Sequence, residues 1–327
     1  MEERTTPTAR PREAGEIVLD VVVVSWNTRD VTDACLASVF ENLGDLAAVV
    51  WVVDNGSGDG SADLIATKYP QVRLLRNDEN LGFAAANNQA LRRARGRYAL
   101  LLNSDTLVLG DVLQRSVRYM NEHPDVGVFG CRVLNPDRTL QPTCFQYPSL
   151  LNSILKTTGL HRLRRPRFFG REHMRGWQRD SERDVDVVTG CYMLVRRAAM
   201  EKVGLLDDDF FFNYEETDWC LRFRREHWAI RFAPVGEIIH IGNASGRQIS
   251  HQRETHLIRG KIRLHRKHGE PWHAAAIWAL AYGFWCLRLV FWGLASVVPG
   301  STRARQRIHH ARAVLRDFPE LRTGVPS

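Results

Sequence analysis

The sequence predicts an α/β fold followed by a helical C-terminal region, on three observations. Residues 17–25, IVLDVVVVS, form an almost unbroken β-branched run, the pattern of a strand buried on both faces of a parallel sheet. Strand-like and helix-like segments then alternate as far as residue 103, which describes a Rossmann-like half. Towards the other end, residues 273–300 become apolar and Trp-rich between basic flanks.

The elements can be read off in order. A helix is expected from about Asp30, a strand at AVVWVVD (48–54), a helix over 60–69 and a strand at VRLLR (72–76). A helix over 84–95 and the strand RYALLLN (97–103) follow, then a helix over 111–122 and the strand VGVFG (126–130). The Pro- and Arg-rich stretch up to about 183 reads as an excursion from the core. Regular structure resumes with DVVTGCYMLVRR (186–197), continues as an amphipathic helix over 216–227, and closes with a strand, IRFAPVGEIIH, ending at His240. The domain expectation is therefore a flexible polar segment over 1–16, an α/β domain over 17–247, and a basic and apolar helical region over 248–327.

Charge and cysteine usage bound the function. The 45 Lys and Arg outnumber the 37 Asp and Glu, and the excess is concentrated. Residues 162–183 hold eight Arg, and 247–268 hold seven Arg or Lys against the single acid Glu254. Such runs suit phosphates or anionic headgroups, or simply make a solvated face. With no zinc-ligand spacing and no aromatic RNA-binding signature, nucleic acid is not an expected partner. Six cysteines without a CxxC pair fit free thiols in a reducing compartment, and the polar N-terminal stretch lacks the apolar core of a secretory signal. The 273–300 run is long enough to span a bilayer, yet Arg288 at its centre and the Trp residues suit an in-plane anchor equally; a buried helical hairpin is the alternative.

In open α/β sheets ligands gather beyond the carboxyl ends of the strands, here Ser25, Asp54, Asn77 and Asp105. Neither GxGxxG nor a Walker A motif follows the first strand, which excludes the usual dinucleotide and P-loop readings. Asp54 in VVDNGSGDGS can accept the N3–H of a uracil or thymine ring, or merely cap a turn. Asn103-Ser104-Asp105 ends an apolar strand, so Asp105 is a candidate oxygen ligand for magnesium or manganese bridging a diphosphate. Glu215, Glu216 and Asp218 open a helix, where acids either complement the dipole or include a general base. His240 ends its strand and either completes a metal site or is structural.

Taken in order, VVVVSWN, VVDNGS, NLGFAAANN, LLNSD, TGCYMLVRR, FFNYEETDWCLR and IIHIGNASG resemble the family 2 glycosyltransferases of GT-A fold, in particular the rhamnosyltransferase-like branch that builds bacterial cell-wall and surface polysaccharides. The resemblance covers about residues 17–247. It implies that Ser25 and Asp54 flank the nucleotide base, and that Asn80, Gly82 and Phe83 shape the donor pocket with Asn103 and Asp105. Asp105 and His240 would meet a divalent ion, and Thr189, Gly190 and Cys191 would lie beneath donor sugar and acceptor. Glu216 falls on the position of the catalytic base, where the family commonly has Asp, so Glu215 stays a candidate beside it. Asn103 replaces one acid of the family's metal motif.

The resemblance further implies an inverting transferase that moves a sugar from a nucleotide diphosphate to a hydroxyl of a lipid-linked or polysaccharide acceptor at the cytoplasmic face of the membrane. The dTDP-linked donor rhamnose is the first choice and a UDP-sugar the second. A noncatalytic sugar-nucleotide sensor on the membrane and a sugar nucleotidyltransferase are the rival classes. The second lacks its usual glycine-rich, basic signature after Ser25.

Overall fold

The structure, a computed structural model, describes residues 17–163, 166–242, 250–297 and 302–323. The segment expected to be flexible and the residues after Gly242 in IIHIGNASG lie outside these ranges.

The β-branched run becomes β1 (Leu19–Ser25), buried along almost its whole length. After it come α1 (Arg29–Asn42), β2 (Ala48–Asn55), α2 (Ser61–Lys68), β3 (Arg73–Asn77), α3 (Phe83–Leu91) and β4 (Tyr98–Asn103). These four strands pair in parallel, in the order β3-β2-β1-β4, and the helices supply the crossovers that parallel pairing requires. The one acid inside β1 explains itself. Asp20 is fully buried and accepts the Trp51 indole N–H at 2.7 Å and the Arg95 and Gly96 backbone N–H groups at 2.9 and 2.5 Å. Those backbone donors are therefore outside any helix ladder, so the chain after α3, which ends at Leu91, makes its last helical bond at Ala94 and does not form the helix expected up to residue 95.

The second half extends the sheet in mixed directions. It contains β5 (Thr106–Val108), α4 (Val112–Glu122), β6 (Val126–Leu134), β7 (Cys144–Phe145), α5 (Leu150–Thr157), α6 (Pro166–Phe169), β8 (Arg183–Asp184), β9 (Val187–Val188) and β10 (Tyr192–Arg196). Then come α7 (Arg197–Val203), α8 (Glu215–Arg225) and β11 (Ala229–His240). The full order is β3-β2-β1-β4-β10-β6-β11-β5, with β8 beside β11; β7 and β9 make a separate small pair. β10 lies antiparallel between β4 and β6, and β5 runs antiparallel to the end of β11. That last pairing sets His240 opposite Thr106, next to the turn that carries Asp105. The excursion after residue 134 thus holds β7, β8 and two helices, short pieces with no long periodic signal.

The C-terminal region is helical: α9 (Ser250–His268), α10 (His273–Ala295) and α11 (Thr302–Thr323). By contact the chain divides into two compact units. One comprises Met1–Phe145, Trp177–Asp209 and Glu216–Ser245; its core is built on Val21, Val23, Leu36, Leu100, Phe129 and Tyr192. The other comprises Gln146–Gly176, Phe210–Glu215 and Gly246–Ser327, with Ile262, Ile277, Trp285, Val314 and Phe318 at its centre.

Candidate active site

Three groups of residues meet beyond the carboxyl ends of β1, β2 and β4. In the first, Ser25 and Asp54 lie side by side in the parallel register of β1 and β2. Ser25 is buried and its hydroxyl is engaged with the Thr28 and Thr32 hydroxyls at 3.2 and 3.0 Å, so its side chain ties β1 to α1. Asp54 differs. Its Oδ1 accepts the Ser57 N–H at 3.0 Å, whereas Oδ2 is buried without a hydrogen-bond partner. A carboxylate oxygen left so is costly in the protein alone, and a ligand N–H could satisfy it.

Next to it, Asn80 and Gly82 are organised by a residue that the sequence reading passed over as turn chemistry. Asn55 donates to Asn80 Oδ1 at 2.8 Å and accepts from Asn77 Nδ2 and Leu81 N–H at 3.0 and 3.1 Å. Asn80 Oδ1 also accepts the Gly82 N–H at 2.9 Å. Gly82 has φ +85°, a left-handed backbone suited to glycine, and turns the chain into α3 at Phe83. The concentration of Asn at 55, 77 and 80 was the available signal.

The second group is at the end of β4. Asp105 is buried, and its Oδ1 is 3.1 Å from His240 Nε2; Asn103 Nδ2 is 3.2 Å from the same nitrogen. Gln141 fixes the imidazole. Its Nε2 donates to Asn135 Oδ1 and to the His240 carbonyl at 2.8 and 3.2 Å, so its Oε1 accepts from His240 Nδ1–H at 2.6 Å. The remaining nitrogen, Nε2, then bears the lone pair and faces a carboxylate oxygen. The Asn103 amide N–H can donate to that lone pair at 3.2 Å, and a His oriented by a partner on its other nitrogen is the arrangement common among metal ligands. Among the described residues no group of three or more His, Cys, Asp or Glu gathers to hold a metal; Asp105 and His240 alone could supply one oxygen and one imidazole nitrogen to a divalent ion, and its remaining ligands would have to come from elsewhere. Gln141 belongs to the irregular excursion and had no motif to mark it.

The third group holds the acids of α8. Asp218 is buried and paired with Arg222 at 2.8 Å, which assigns it to the fold. Glu215 is buried at 3 % exposure. Glu216 is partly exposed, and its Oε1 accepts the Gly190 N–H at 3.2 Å. A Cβ at Gly190 would lie 2.9 Å from the Phe83 ring and 3.6 Å from Glu216 Cγ, so Gly190 is the residue that lets ring, amide and carboxylate converge. Burial holds the Glu216 carboxyl above its usual range.

The loop at 189–191 links the second and third groups. The Cys191 carbonyl accepts the Asn103 N–H at 3.3 Å, and its thiol lies 3.2 Å from the Thr189 hydroxyl. Burial, with the nearby Glu216 and Asp105 carboxylates, pushes the thiol up to about 12, so Cys191 stays neutral. The structure therefore brings together Phe83, Gly190 and Glu216, and separately Asn103, Asp105 and His240, around one loop.

A parallel α/β half continued by a mixed sheet, with polar residues gathered beyond the carboxyl ends of its strands, is the architecture of the GT-A fold. The family model for glycosyl transferase family 2 matches residues 20–204, and the chain belongs to that family. It is similar to the N-acetylglucosaminyl-diphospho-decaprenol L-rhamnosyltransferase of Mycobacterium tuberculosis, at 26% identity over 80% of this chain and 89% of that protein. The low-salt glycan biosynthesis hexosyltransferase Agl10 of Haloferax volcanii is 22% identical over 68% of this chain and 66% of its own length. Among solved structures, the mannosyltransferase PcManGT from Pyrobaculum calidifontis, in complex with GDP-Man and Mn2+, shares the fold with a TM-score of 0.54 and 15% identity, covering 97% of this chain and 91% of that one.

Proposed function

We propose that this family 2 glycosyltransferase moves a sugar, rhamnose from dTDP-rhamnose in the first instance, onto a hydroxyl of a lipid-linked glycan acceptor, with inversion at the anomeric carbon. The observation that carries this is Glu216, a partly buried carboxylate held by the Gly190 amide beside Phe83 with its proton affinity raised by burial. A carboxylate so raised is a stronger base than a solvated one, and removes the acceptor proton as the oxygen attacks. Asp54 Oδ2 accepts the N3–H of a thymine or uracil ring. A magnesium or manganese ion held by Asp105 and His240 would neutralise the charge growing on the departing diphosphate. The decaprenyl-linked acceptor and rhamnosyl transfer named for the mycobacterial relative support the choice of acceptor and donor. The apolar α10 and six free cysteines support the cytoplasmic face of the membrane as its place of work.

The test uses the full chain with a panel of nucleotide sugars, divalent ions and a prenyl-diphosphate-linked GlcNAc. dTDP-rhamnose is expected to give the longer product. Glu216→Gln is expected to lower turnover by about 10²–10⁴-fold, the span of general-base contributions, with donor binding retained. A Gln variant that turns over normally would remove the base, and a product formed only from UDP-sugars would replace the donor.

A further inference from the structure

By length and composition α10 is able to cross a bilayer. It has 23 residues, and an 18-residue stretch of it has a mean hydropathy of 1.6; its length is about 35 Å at 1.5 Å per residue against a hydrocarbon core of about 30 Å. One face of the helix as far as Trp285, however, is committed to protein. Ala274, Ile277 and Trp285 are buried with Ile262 of α9 and Val314 and Phe318 of α11, and the Trp278 indole donates to the Phe318 carbonyl at 3.2 Å.

The most exposed large apolar residues of α10 are in the second half. Leu287, Val290, Phe291, Leu294 and, just past the helix, Val297 are 61–79 % exposed. Their spacing of three or four residues places them on one face. That stripe is about 16 Å long, half of what a span needs. Arg288, embedded in the same stretch, is drawn off it: its guanidinium lies over the Phe284 and Trp285 rings at 5.4 and 4.9 Å.

Charge says what covers the stripe. The Trp278 ring meets Phe318 and, farther along, the Trp285 ring meets His310 at 5.4 Å, so the two helices run antiparallel and the turns of α11 before His310 lie beside α10 after Trp285. Those turns carry the exposed Arg303, Arg305 and Arg307, and no Asp or Glu occurs between Arg288 and Arg316. An apolar stripe edged by cations matches acyl chains edged by anionic headgroups.

We propose that α10 lies in the plane of an anionic leaflet, with the Leu287–Val297 stripe among the acyl chains and Arg303, Arg305 and Arg307 among the lipid phosphates, and does not cross the bilayer. The proposal rests on the membrane-surface reading given above and adds the mode of contact. Crossing would strip Ala274, Ile277 and Trp285 from α9 and α11 and bring Arg288 into the hydrocarbon.

Nitroxide labels at Leu287, Phe291 and Leu294, in a Cys286→Ser background of the full chain on phosphatidylglycerol–phosphatidylcholine vesicles, report depth. Residues 287 and 294 are separated by about 10 Å along a helix axis. Equal, shallow depths are expected; a depth difference near that separation means a span and overturns the in-plane mode while leaving membrane binding standing. Replacing Leu287, Phe291 and Leu294 together by Gln is expected to weaken vesicle binding more than about tenfold, by the loss of three apolar side chains from lipid, with the melting temperature unchanged. If the intact chain binds no vesicles, the membrane reading itself falls. If the Gln variant breaks a dimer in buffer and still binds vesicles, the stripe belongs to a second copy and the proposal is wrong.

Discussion

Glu216 and Glu215 are adjacent, yet the helix turns by about 100° between them, and this turn separates a buried carboxyl from one that meets the Gly190 amide. Because burial raises Glu216 above the ordinary value of 4.5, the acid limb of kcat/KM is expected above that pH, and Glu216→Gln should lack it. The same shift acts on stability. Between the unfolded and folded pKa values the native state binds more protons than the unfolded one, so stability falls as pH rises through that window. Glu216→Gln should therefore melt no lower than the parent at neutral pH, with its relative advantage shrinking as the pH falls towards 4.5. A marked loss of stability in the variant at neutral pH would mean that the charge is stabilised rather than strained. Gln141 offers a second check. Gln141→Leu removes the acceptor for His240 Nδ1–H and is expected to raise the metal concentration for half-maximal binding about 10–100-fold, measured by calorimetry with the ion and a nucleoside diphosphate, while Gln141→Glu restores much of it.

Among the elements, α8 depends on what precedes it. Asn213 and Tyr214 are consecutive non-glycine residues with φ of +65° and +74°, a strained turn that delivers the chain into the helix bearing both glutamates. A Cβ at Gly260 of α9 would come 2.9 Å from the Asn213 carbonyl and 3.0 Å from the Tyr214 ring. Helix propensity alone favours Gly260→Ala by about 1 kcal/mol, so any loss reports the close approach. The variant is expected to lower kcat by about tenfold to a hundredfold through misplacement of the base, with donor affinity unchanged. Wild-type kcat together with a higher melting temperature would show that the turn does not depend on α9.

For the whole molecule, a hydrophobic core within each of the two compact units predicts unfolding that is not a single two-state step. Calorimetry is expected to give a calorimetric enthalpy larger than the van't Hoff enthalpy. A nucleoside diphosphate with a divalent ion should raise the transition of the sheet-bearing unit, by about 2.7 kcal/mol at a hundredfold excess over its dissociation constant. Anionic vesicles should raise that of the helical unit. One transition shifted as a whole by either ligand would mean that the two units unfold together.

Much of this was legible in the chain itself, where the signal was local. β1, β2 and β4 are runs whose burial on both faces demands apolar side chains, and the residues expected at their ends, Ser25, Asp54 and Asp105, followed from the strand assignment to within two positions, since β2 runs on to Asn55 and β4 stops at Asn103. Alternation of strand and helix determined a parallel half because short parallel connections are impossible. The long apolar α10 was equally plain. Tertiary structure alone decided what depends on contacts distant in sequence. Gln141 reaches His240 across 99 residues, Glu216 reaches Gly190 across 26, and Asn55 reaches Asn80 across 25. Burial decided the rest: nothing in the letters distinguishes a Glu with its carboxyl held at a glycine amide from the neighbouring Glu buried beside it. Nor does hydropathy reveal that one face of α10, as far as Trp285, already packs on protein. A side chain's surroundings are assembled by the fold, and only there do its proton affinity and its partners become defined.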